Sequence, residues 1–249
     1  MDVDDELVHL DLADTVATIT LDSPANRNAL SRRLVAELID QLDAAAAVES
    51  VRVVVVRSSG RVFCSGADMR EAVADGMAAG ARTMVDLQRA IVALEVPVLV
   101  RLDGPVRAGG LGIVAAADVV VAAESATFAL TESRLGLAAA TVSLTVQARM
   151  TPRGAALAAL SGATFGAAEA VERGLVTAVV PDEAVDAAVA GLVGEFARTT
   201  RQGVRETKAL LNADLLARID TRGEQLAATS ARLFASPEAR AAMSAFLRG

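Results

Sequence analysis

Apolar and polar residues follow two different periods along the first two thirds of the chain. Strict alternation and short β-branched runs predict strands, whereas apolar residues that recur every three or four positions predict helices. The predicted strands lie at 7–12, 15–21, 51–57, 96–102 and 119–122. The predicted helices between them lie at 31–48, 83–95 and 109–117. Because strands and helices alternate, the pattern indicates an α/β sheet whose crossovers stack its layers.

The pattern becomes mostly helical after residue 151. A short apolar run at 176–180 predicts one further strand. The helices predicted in this part lie at 152–160, 167–173, 183–197, 201–213, 216–234 and 237–247. We therefore divide the chain into an α/β core at 1–195 and a C-terminal helical region at 196–249. Within the core, residues 70–83 carry two glycines between regular elements and are expected to form a mobile loop.

The composition is that of a globular protein with a large core. Of the 249 residues, 53% are hydrophobic and 22% are charged, which excludes a disordered chain. The formal net charge of −7 argues against nucleic acid as a partner, because phosphate binding needs a basic surface. The longest apolar stretch, 109–123, is too short to cross a bilayer, so no membrane insertion is expected. The positive mean hydropathy predicts apolar surface hidden in subunit contacts.

Cysteine and histidine are almost absent, which removes several kinds of chemistry. One Cys and one His cannot build a disulfide framework or a zinc site of Cys and His ligands, and no metal is expected. A Ser-His-Asp or Cys-His nucleophile would have to use His9. The single Cys64 and an acidic start without a signal-peptide pattern predict a cytoplasmic protein. Carboxylates, backbone amides and a few hydroxyl groups remain for catalysis.

Two segments rich in small residues directly follow predicted strands. They are 58–69 (SSGRVFCSGADM) and 103–112 (DGPVRAGGLG). Exposed backbone N–H groups at the carboxyl end of a strand are where α/β proteins bind ligands, and glycines let a ligand approach the main chain. The second segment also opens a helix, whose free N–H groups favour developing negative charge. Two such amides converging on one oxygen would form an oxyanion hole.

Two other interpretations of the glycines in these segments are open. Gly110, Gly112 and Ala115 have the spacing of a dinucleotide-binding fingerprint, but residues 103–109 separate that motif from its strand, and it lies in the middle of the chain. Alternatively, the glycines of each segment only make turns.

Six motifs follow one another along nearly the whole chain. They lie at 24–30 (PANRNAL), 63–69 (FCSGADM), 104–118 (GPVRAGGLGIVAAAD), 131–137 (TESRLGL), 161–176 (SGATFGAAEAVERGLV) and 236–246 (SPEARAAMSAF). In kind and order they resemble the motifs of the crotonase (enoyl-CoA hydratase/isomerase) superfamily. The resemblance implies an α/β fold of the crotonase type, a spiral of stacked ββα units with a C-terminal helical appendage for oligomerisation and active-site cover. It also implies a homotrimer or a dimer of trimers.

The resemblance further implies a substrate and a set of site residues. Members of this superfamily bind acyl-CoA thioesters and stabilise an enolate with two backbone amides, which correspond here to Ala67 and Gly109. Glu132 matches the acid/base glutamate, and coenzyme A is part of the substrate, so no separate cofactor is expected. Further positions that match contacts to the substrate or to coenzyme A are Arg27, Ala29, Ser65, Asp68, Met69, Gly110, Thr131 and Leu135. For Asp68, a turn or helix cap is the alternative.

The sequence departs from the family pattern at Gly112, where hydratases carry the first of two glutamates that hold a water molecule. One glutamate still suffices to move a proton between C2 and C4, so the resemblance favours double-bond isomerisation. A second carboxylate could come from Glu71 or Asp75, although a solvated helix face is the better interpretation of both. Thr131 also replaces the proline that precedes the family's glutamate, which is a second departure from the family pattern.

Three other functions stay open from the sequence. The first is a hydratase or hydratase-lyase that works through Glu132 and a water held by a hydroxyl group. The second is a non-catalytic acyl-CoA binding protein, which would have no need of Glu132. The third is a structural subunit of an oligomer, which would bind no coenzyme A.

Overall fold

The computed structural model of the protein describes residues 6–246, without the side chains of Asp75 and Phe246. Within that range the chain forms nine β-strands: β1 (Val8–Ala13), β2 (Val16–Leu21), β3 (Val53–Ser58), β4 (Val98–Leu102), β5 (Val106–Arg107), β6 (Val119–Ala123), β7 (Thr127–Ala129), β8 (Phe165–Gly166) and β9 (Ala178–Val180). The same range holds ten α-helices: α1 (Arg32–Ala47), α2 (Met69–Asp75), α3 (Ala78–Ala93), α4 (Gly110–Ala116), α5 (Ser143–Arg149), α6 (Pro152–Ser161), α7 (Ala167–Glu172), α8 (Val185–Ala197), α9 (Arg201–Phe234) and α10 (Pro237–Phe246).

Six strands form the main sheet in the order β1-β2-β3-β4-β6-β9. β1 and β2 are an antiparallel hairpin, and every other neighbouring pair in this sheet is parallel. The valines of β3 are buried on both faces: Val54 and Val56 belong to the main core, whereas Val53 and Val55 pack in a second cluster with α8. The hairpin and the largely parallel α/β sheet confirm the prediction from the sequence pattern.

Helix α1 begins where the sequence predicts. The Ser31 hydroxyl caps it by accepting a hydrogen bond from the Leu34 amide at 3.2 Å. The leucines spaced four residues apart on one face, which include Leu38 and Leu42, are fully buried. Among residues 6–246 no helix combines the length and apolar character needed to span a bilayer.

Three short strands form a second sheet in the order β5-β7-β8. β5 pairs with β7 in parallel, and β7 pairs with β8 in the antiparallel sense. The sequence pattern did not predict these strands, because two or three residues are too few for an alternation to be recognised. Helix α5 was missed as well, because its buried residues, Leu144, Thr145 and Val146, are consecutive and show no helical period.

Residues 70–83 are helical over most of their length, so the predicted loop is wrong. Helix α2 begins after Asp68, whose carboxylate accepts hydrogen bonds from the amides of Arg70 and Glu71 at 2.9 and 3.2 Å. This cap stabilises the first turn and offsets the absence of a strong apolar stripe. Gly76 and Met77 alone separate α2 from α3.

The C-terminal region contains one long helix where the sequence pattern predicted two. Helix α9 continues through residue 214 and Leu215, because neither position is a glycine or proline and Leu215 packs into the main core. It lies against α3 so closely that a Cβ on Gly223 would be 2.6 Å from Val85 Cγ1. Ala227 of α9 also belongs to the main core, so this helix shares the core of the α/β part.

Candidate active site

A cavity of about 450 Å³, here called the central cavity, lies between the loops of the α/β core and helix α9. Its lining is mostly apolar, with a few polar groups, as is usual for sites that bind small molecules. The predicted site residues that line it are Arg27, Ser65, Ala67, Met69, Gly109, Thr131, Glu132 and Leu135.

Short parallel contacts hold the segments around the central cavity side by side. Leu30 pairs with Ala67, outside the named strands. Cys64 pairs in the same way with Val106 at the start of β5. β5 in turn pairs with β7, the strand that leads to Glu132. Separate parts of the sequence are thereby fixed relative to one another by backbone hydrogen bonds.

The backbone amides of Ala67 and Gly109 lie near each other. A Cβ placed on Gly109 would be 3.8 Å from Ala67 N. Within residues 6–246 neither amide donates a hydrogen bond to a protein acceptor. Gly66 has a φ of +97°, and a Cβ there would lie 2.9 Å from Ala108 Cβ. The two loops therefore approach closely, and an oxygen bound between them can accept two hydrogen bonds.

Glu132 is the first residue of a 3₁₀ helix, Glu132–Leu135, that follows β7. It is only 9% exposed, and its Oε2 atom has no hydrogen-bond partner among the described residues. Burial raises the pKa of its carboxyl from 4.5 to about 7, and a hydrogen bond from its own amide opposes part of that rise. A carboxyl with a pKa near neutrality can both take up and return a proton.

The other predicted site positions do not line the central cavity. Ala29 and Gly110 are buried, and Asp68 caps α2, as its alternative interpretation has it. Gly112 is buried within α4, and a Cβ on it would lie 3.3 Å from Gln88 Cδ.

Carboxylates other than Glu132 are not found in the lining of the central cavity within the described part of the chain. Glu71 lies on a different, smaller cavity, where its Oε2 accepts a hydrogen bond from the Arg32 amide at 3.0 Å. The side chain of Asp75, the other carboxylate considered from the sequence, lies outside the described residues. Glu132 is therefore the single described carboxylate available in this cavity.

Several residues that line the central cavity were not identified as site residues from the sequence. Met84 belongs to the apolar stripe of the predicted helix 83–95, a pattern that indicates a core position but not a cavity. The small residues after Leu137 belong to no recognised functional motif. The additional lining residues include Met77, Ala81, Met84, Arg107, Arg134, the run 137–142, Ser230 and Phe234.

The single cysteine and the single histidine of the chain do not line the central cavity. Cys64 is completely buried, which raises the pKa of its thiol to about 12. His9 lies on β1, and its Nε2 atom is 3.1 Å from Asp22 Oδ2. Among the described residues there is no group of three or more His, Cys, Asp or Glu side chains that could hold a metal ion.

The arrangement of the central cavity defines a class of site. Two unpaired backbone amides can stabilise an oxyanion, and a buried carboxyl on the same cavity can move a proton. Such a pair of functions suits chemistry at the carbon next to a carbonyl group, because removal of that proton places negative charge on the carbonyl oxygen.

Comparison with known proteins identifies the family. The family model described as "Enoyl-CoA hydratase/isomerase" matches residues 11–248. A crystal structure of an enoyl-CoA hydratase from Mycobacterium avium is 44% identical, with a TM-score of 0.91 over 100% of this chain and 97% of that chain. The 2,3-dehydroadipyl-CoA hydratase of Escherichia coli is 32% identical over 200 residues, which are 79% of this chain and 78% of that protein. Enoyl-CoA hydratase domain-containing protein 3, mitochondrial, of Mus musculus is 30% identical over 201 residues, which are 79% of this chain and 67% of that protein.

The chain belongs to the enoyl-CoA hydratase/isomerase family, and it is an acyl-CoA enzyme with the crotonase fold. The resemblance drawn from its sequence motifs is thereby confirmed, as is the predicted fold class.

Proposed function

We propose that this enzyme moves the double bond of an enoyl-CoA thioester by proton transfer, with Glu132 as the acid/base group. The observation that carries the proposal is the single described carboxylate in the central cavity. Hydration in the usual way of the family needs a second glutamate, and Gly112 stands at that position. Proton transfer between two carbons needs one carboxylate only.

The proposed reaction begins with a 3-enoyl-CoA whose thioester oxygen accepts hydrogen bonds from the amides of Ala67 and Gly109. The Glu132 carboxylate removes a proton from C2, and the electrons of that C–H bond spread over the carbonyl oxygen and the C3–C4 double bond. The resulting dienolate is stabilised by the two amides. The protonated Glu132 then returns the proton to C4, which forms the C2–C3 double bond and restores the carbonyl. No water is consumed, and the carboxylate is regenerated.

The environment of Glu132 supports this dual role. A carboxyl with a pKa of about 7 is a stronger base than an ordinary glutamate and remains acidic enough to give the proton back. The apolar lining of the cavity also limits competition from bulk water.

We propose that coenzyme A is bound as part of the substrate, with Arg27, Ser65 and Met69 among its contacts and without a separate cofactor. A cytoplasmic location belongs to the same proposal.

A homotrimer or a dimer of trimers is the proposed assembly, and the exposed Leu160 and Leu210 support buried contacts between subunits. Light scattering is expected to give a trimer or hexamer mass, and a monomer at micromolar concentration would contradict this assembly.

Hydration is the second candidate function. Relatives named as hydratases, such as the 2,3-dehydroadipyl-CoA hydratase of Escherichia coli, favour it. In this protein it would require a water molecule held by Glu132 and a hydroxyl group of the cavity, for example that of Thr131.

The test of the assigned role is the substitution Glu132→Gln, which keeps the shape of the side chain and removes the acid/base group. Turnover of a cis-3-enoyl-CoA is expected to fall by about 10²–10⁴-fold, the usual contribution of such a group. The affinity for a saturated acyl-CoA, measured by calorimetry, is expected to stay nearly unchanged. Loss of both turnover and affinity would contradict the role of Glu132. If the wild-type protein binds acyl-CoA but turns over neither enoyl-CoA isomer, it is a binding protein or uses a specialised substrate.

A further inference from the structure

Gln88 of α3 occupies the space beside Gly112. The residue is completely buried, and it does not line the central cavity. A Cβ on Gly112 would lie 3.3 Å from Gln88 Cδ and 3.4 Å from Gln88 Oε1, tighter than ordinary van der Waals contact. Any larger side chain at position 112 would therefore require Gln88 to move.

The carboxamide of Gln88 is held in this place at both ends. Its Nε2 donates hydrogen bonds to the carbonyl oxygens of Met84 at 3.0 Å and Thr141 at 3.2 Å. Its Oε1 accepts a hydrogen bond from the Thr145 hydroxyl at 2.8 Å. The Thr145 hydroxyl also lies 3.3 Å from the carbonyl oxygen of Gly112. A buried side-chain carboxamide whose NH₂ group and oxygen are both hydrogen-bonded is costly to displace.

This network forms a layer directly behind the wall of the central cavity. Met84 and Thr141, which both bond to Gln88, line the cavity themselves. Gln88 thus ties α3 to the segment 137–142 and to Thr145 of α5, whose hydroxyl oxygen lies against the carbonyl of Gly112. The polar groups at this point bond to one another, which leaves few of the two to four partners that a bound water molecule needs.

We propose that Gln88 is a positioning residue that supports the cavity wall from behind, next to Gly112, and thereby restricts the reaction to proton transfer by Glu132. It does so by filling the space that a carboxylate at position 112 would need and by pairing the polar groups that would otherwise hold a water molecule. This inference rests on the proposed function and names the residue that determines which reaction of the family takes place.

The test is a cycle of substitutions at positions 88 and 112. Gly112→Glu alone is expected to add no hydration, because Gln88 blocks the new side chain. The double variant Gln88→Ala with Gly112→Glu is expected to hydrate trans-2-enoyl-CoA at least about tenfold faster than Gly112→Glu alone. A factor of about ten is what one well-placed hydrogen-bonding group contributes. Equal hydration by both variants would overturn the proposal. Ile91→Val, a fully buried substitution on the same helix that does not line the cavity, is the control and is expected to leave the product ratio unchanged.

A second measurement, of thermal stability, tests the placement of Gln88 and needs no activity assay. Gly112→Ala is expected to lower the Tm in the wild-type background and to lower it much less in a Gln88→Ala background, because the crowding partner is then absent. Equal Tm shifts in the two backgrounds would overturn the proposed packing. If the wild-type enzyme itself hydrates trans-2-enoyl-CoA, the proposed function fails, while the Tm cycle still decides whether Gln88 fills this space.

Discussion

Burial determines the chemistry of Glu132. The carboxyl lies in a mostly apolar cavity, and its Oε2 has no partner among the described residues, so its charged form is poorly solvated. The pKa of about 7 that results places the group between its two protonation states near neutral pH. Removal of a proton from C2 requires the ionised state, which links the rate directly to pH.

The pH dependence of kcat/KM for isomerisation is therefore expected to show an ascending limb with a midpoint near pH 7. Below that midpoint the rate is expected to fall about tenfold per pH unit, because only the ionised fraction of Glu132 reacts. A profile of kcat/KM that is flat between pH 5 and 8 would contradict a buried base.

The same raised pKa makes folding stability decline as pH rises from 4.5 through about 7, since the protonated carboxyl is the form that burial favours.

The two loops of the site could be located from the sequence because small residues follow predicted strands, whereas the individual site residues needed the family motifs. The motifs identified Glu132, Ala67 and Gly109, and all three line one cavity. The cavity around Glu132 could not be predicted, because it is also lined by residues such as Phe234 that are distant in the sequence. Gln88 had no signal of its own, since its significance comes from its contact with Gly112 in the folded chain.

At the level of secondary structure, short strands and tight loops determine where the site residues lie. The isolated parallel pairs and the pairing of β5 with β7 bring the two amides and the Glu132 segment to one cavity. Gly66 is needed in this arrangement because its positive φ and its closeness to Ala108 exclude a side chain.

Gly66→Ala is expected to destabilise the protein by about 2–4 kcal/mol, from the strained φ together with the steric overlap. Because the strain acts next to Ala67, kcat is expected to fall as well. Gly191→Ala is the matched control: Gly191 lies inside α8, and among the described residues no atom beyond its own turns of helix lies within 4 Å of the added Cβ. Its substitution is expected to stabilise the protein by about 0.5–1 kcal/mol. Urea denaturation of both variants measures the difference, and equal stability would contradict the account of Gly66.

Elements with a clear apolar pattern could be predicted, whereas elements without one could not. The main-sheet strands β1 to β4 and helix α1 appear close to their predicted positions. Helix α2 was missed because its stability comes from the cap at Asp68 and not from an apolar stripe. The interruption predicted near residue 214 was wrong, because packing of Leu215 against the core keeps α9 continuous.

At the scale of the whole molecule, one buried ion pair fastens α9 to the α/β core. The Nζ atom of Lys208 donates hydrogen bonds to the carbonyl oxygens of Ile91 and Val96, each at 3.0 Å. The same atom lies 2.8 Å from Asp118 Oδ2. Burial lowers the pKa of Lys208, and Asp118 opposes that fall. The position of α9 matters for the site, because Phe234 of this helix lines the central cavity.

Lys208→Met is expected to destabilise the protein by about 3–5 kcal/mol, since it leaves the partly buried Asp118 without its charge partner. Arg82→Ala is the control, because Arg82 also links α3 to α9, through an exposed ion pair with Glu224. Little change in Tm is expected for this variant, since exposed pairs contribute little. Similar Tm losses in the two variants would contradict the assignment of Lys208 as the main polar anchor of α9.

The most direct test of the central claim is the identity of the products formed by the wild-type enzyme from cis-3-enoyl-CoA and from trans-2-enoyl-CoA. Chromatography with mass spectrometry distinguishes an isomer of unchanged mass from a product heavier by one water. One-carboxylate chemistry at Glu132 predicts rapid interconversion of the two enoyl-CoA isomers with little hydrated product. Rapid formation of 3-hydroxyacyl-CoA from the 2-enoyl substrate, without conversion of the 3-enoyl substrate, would contradict it.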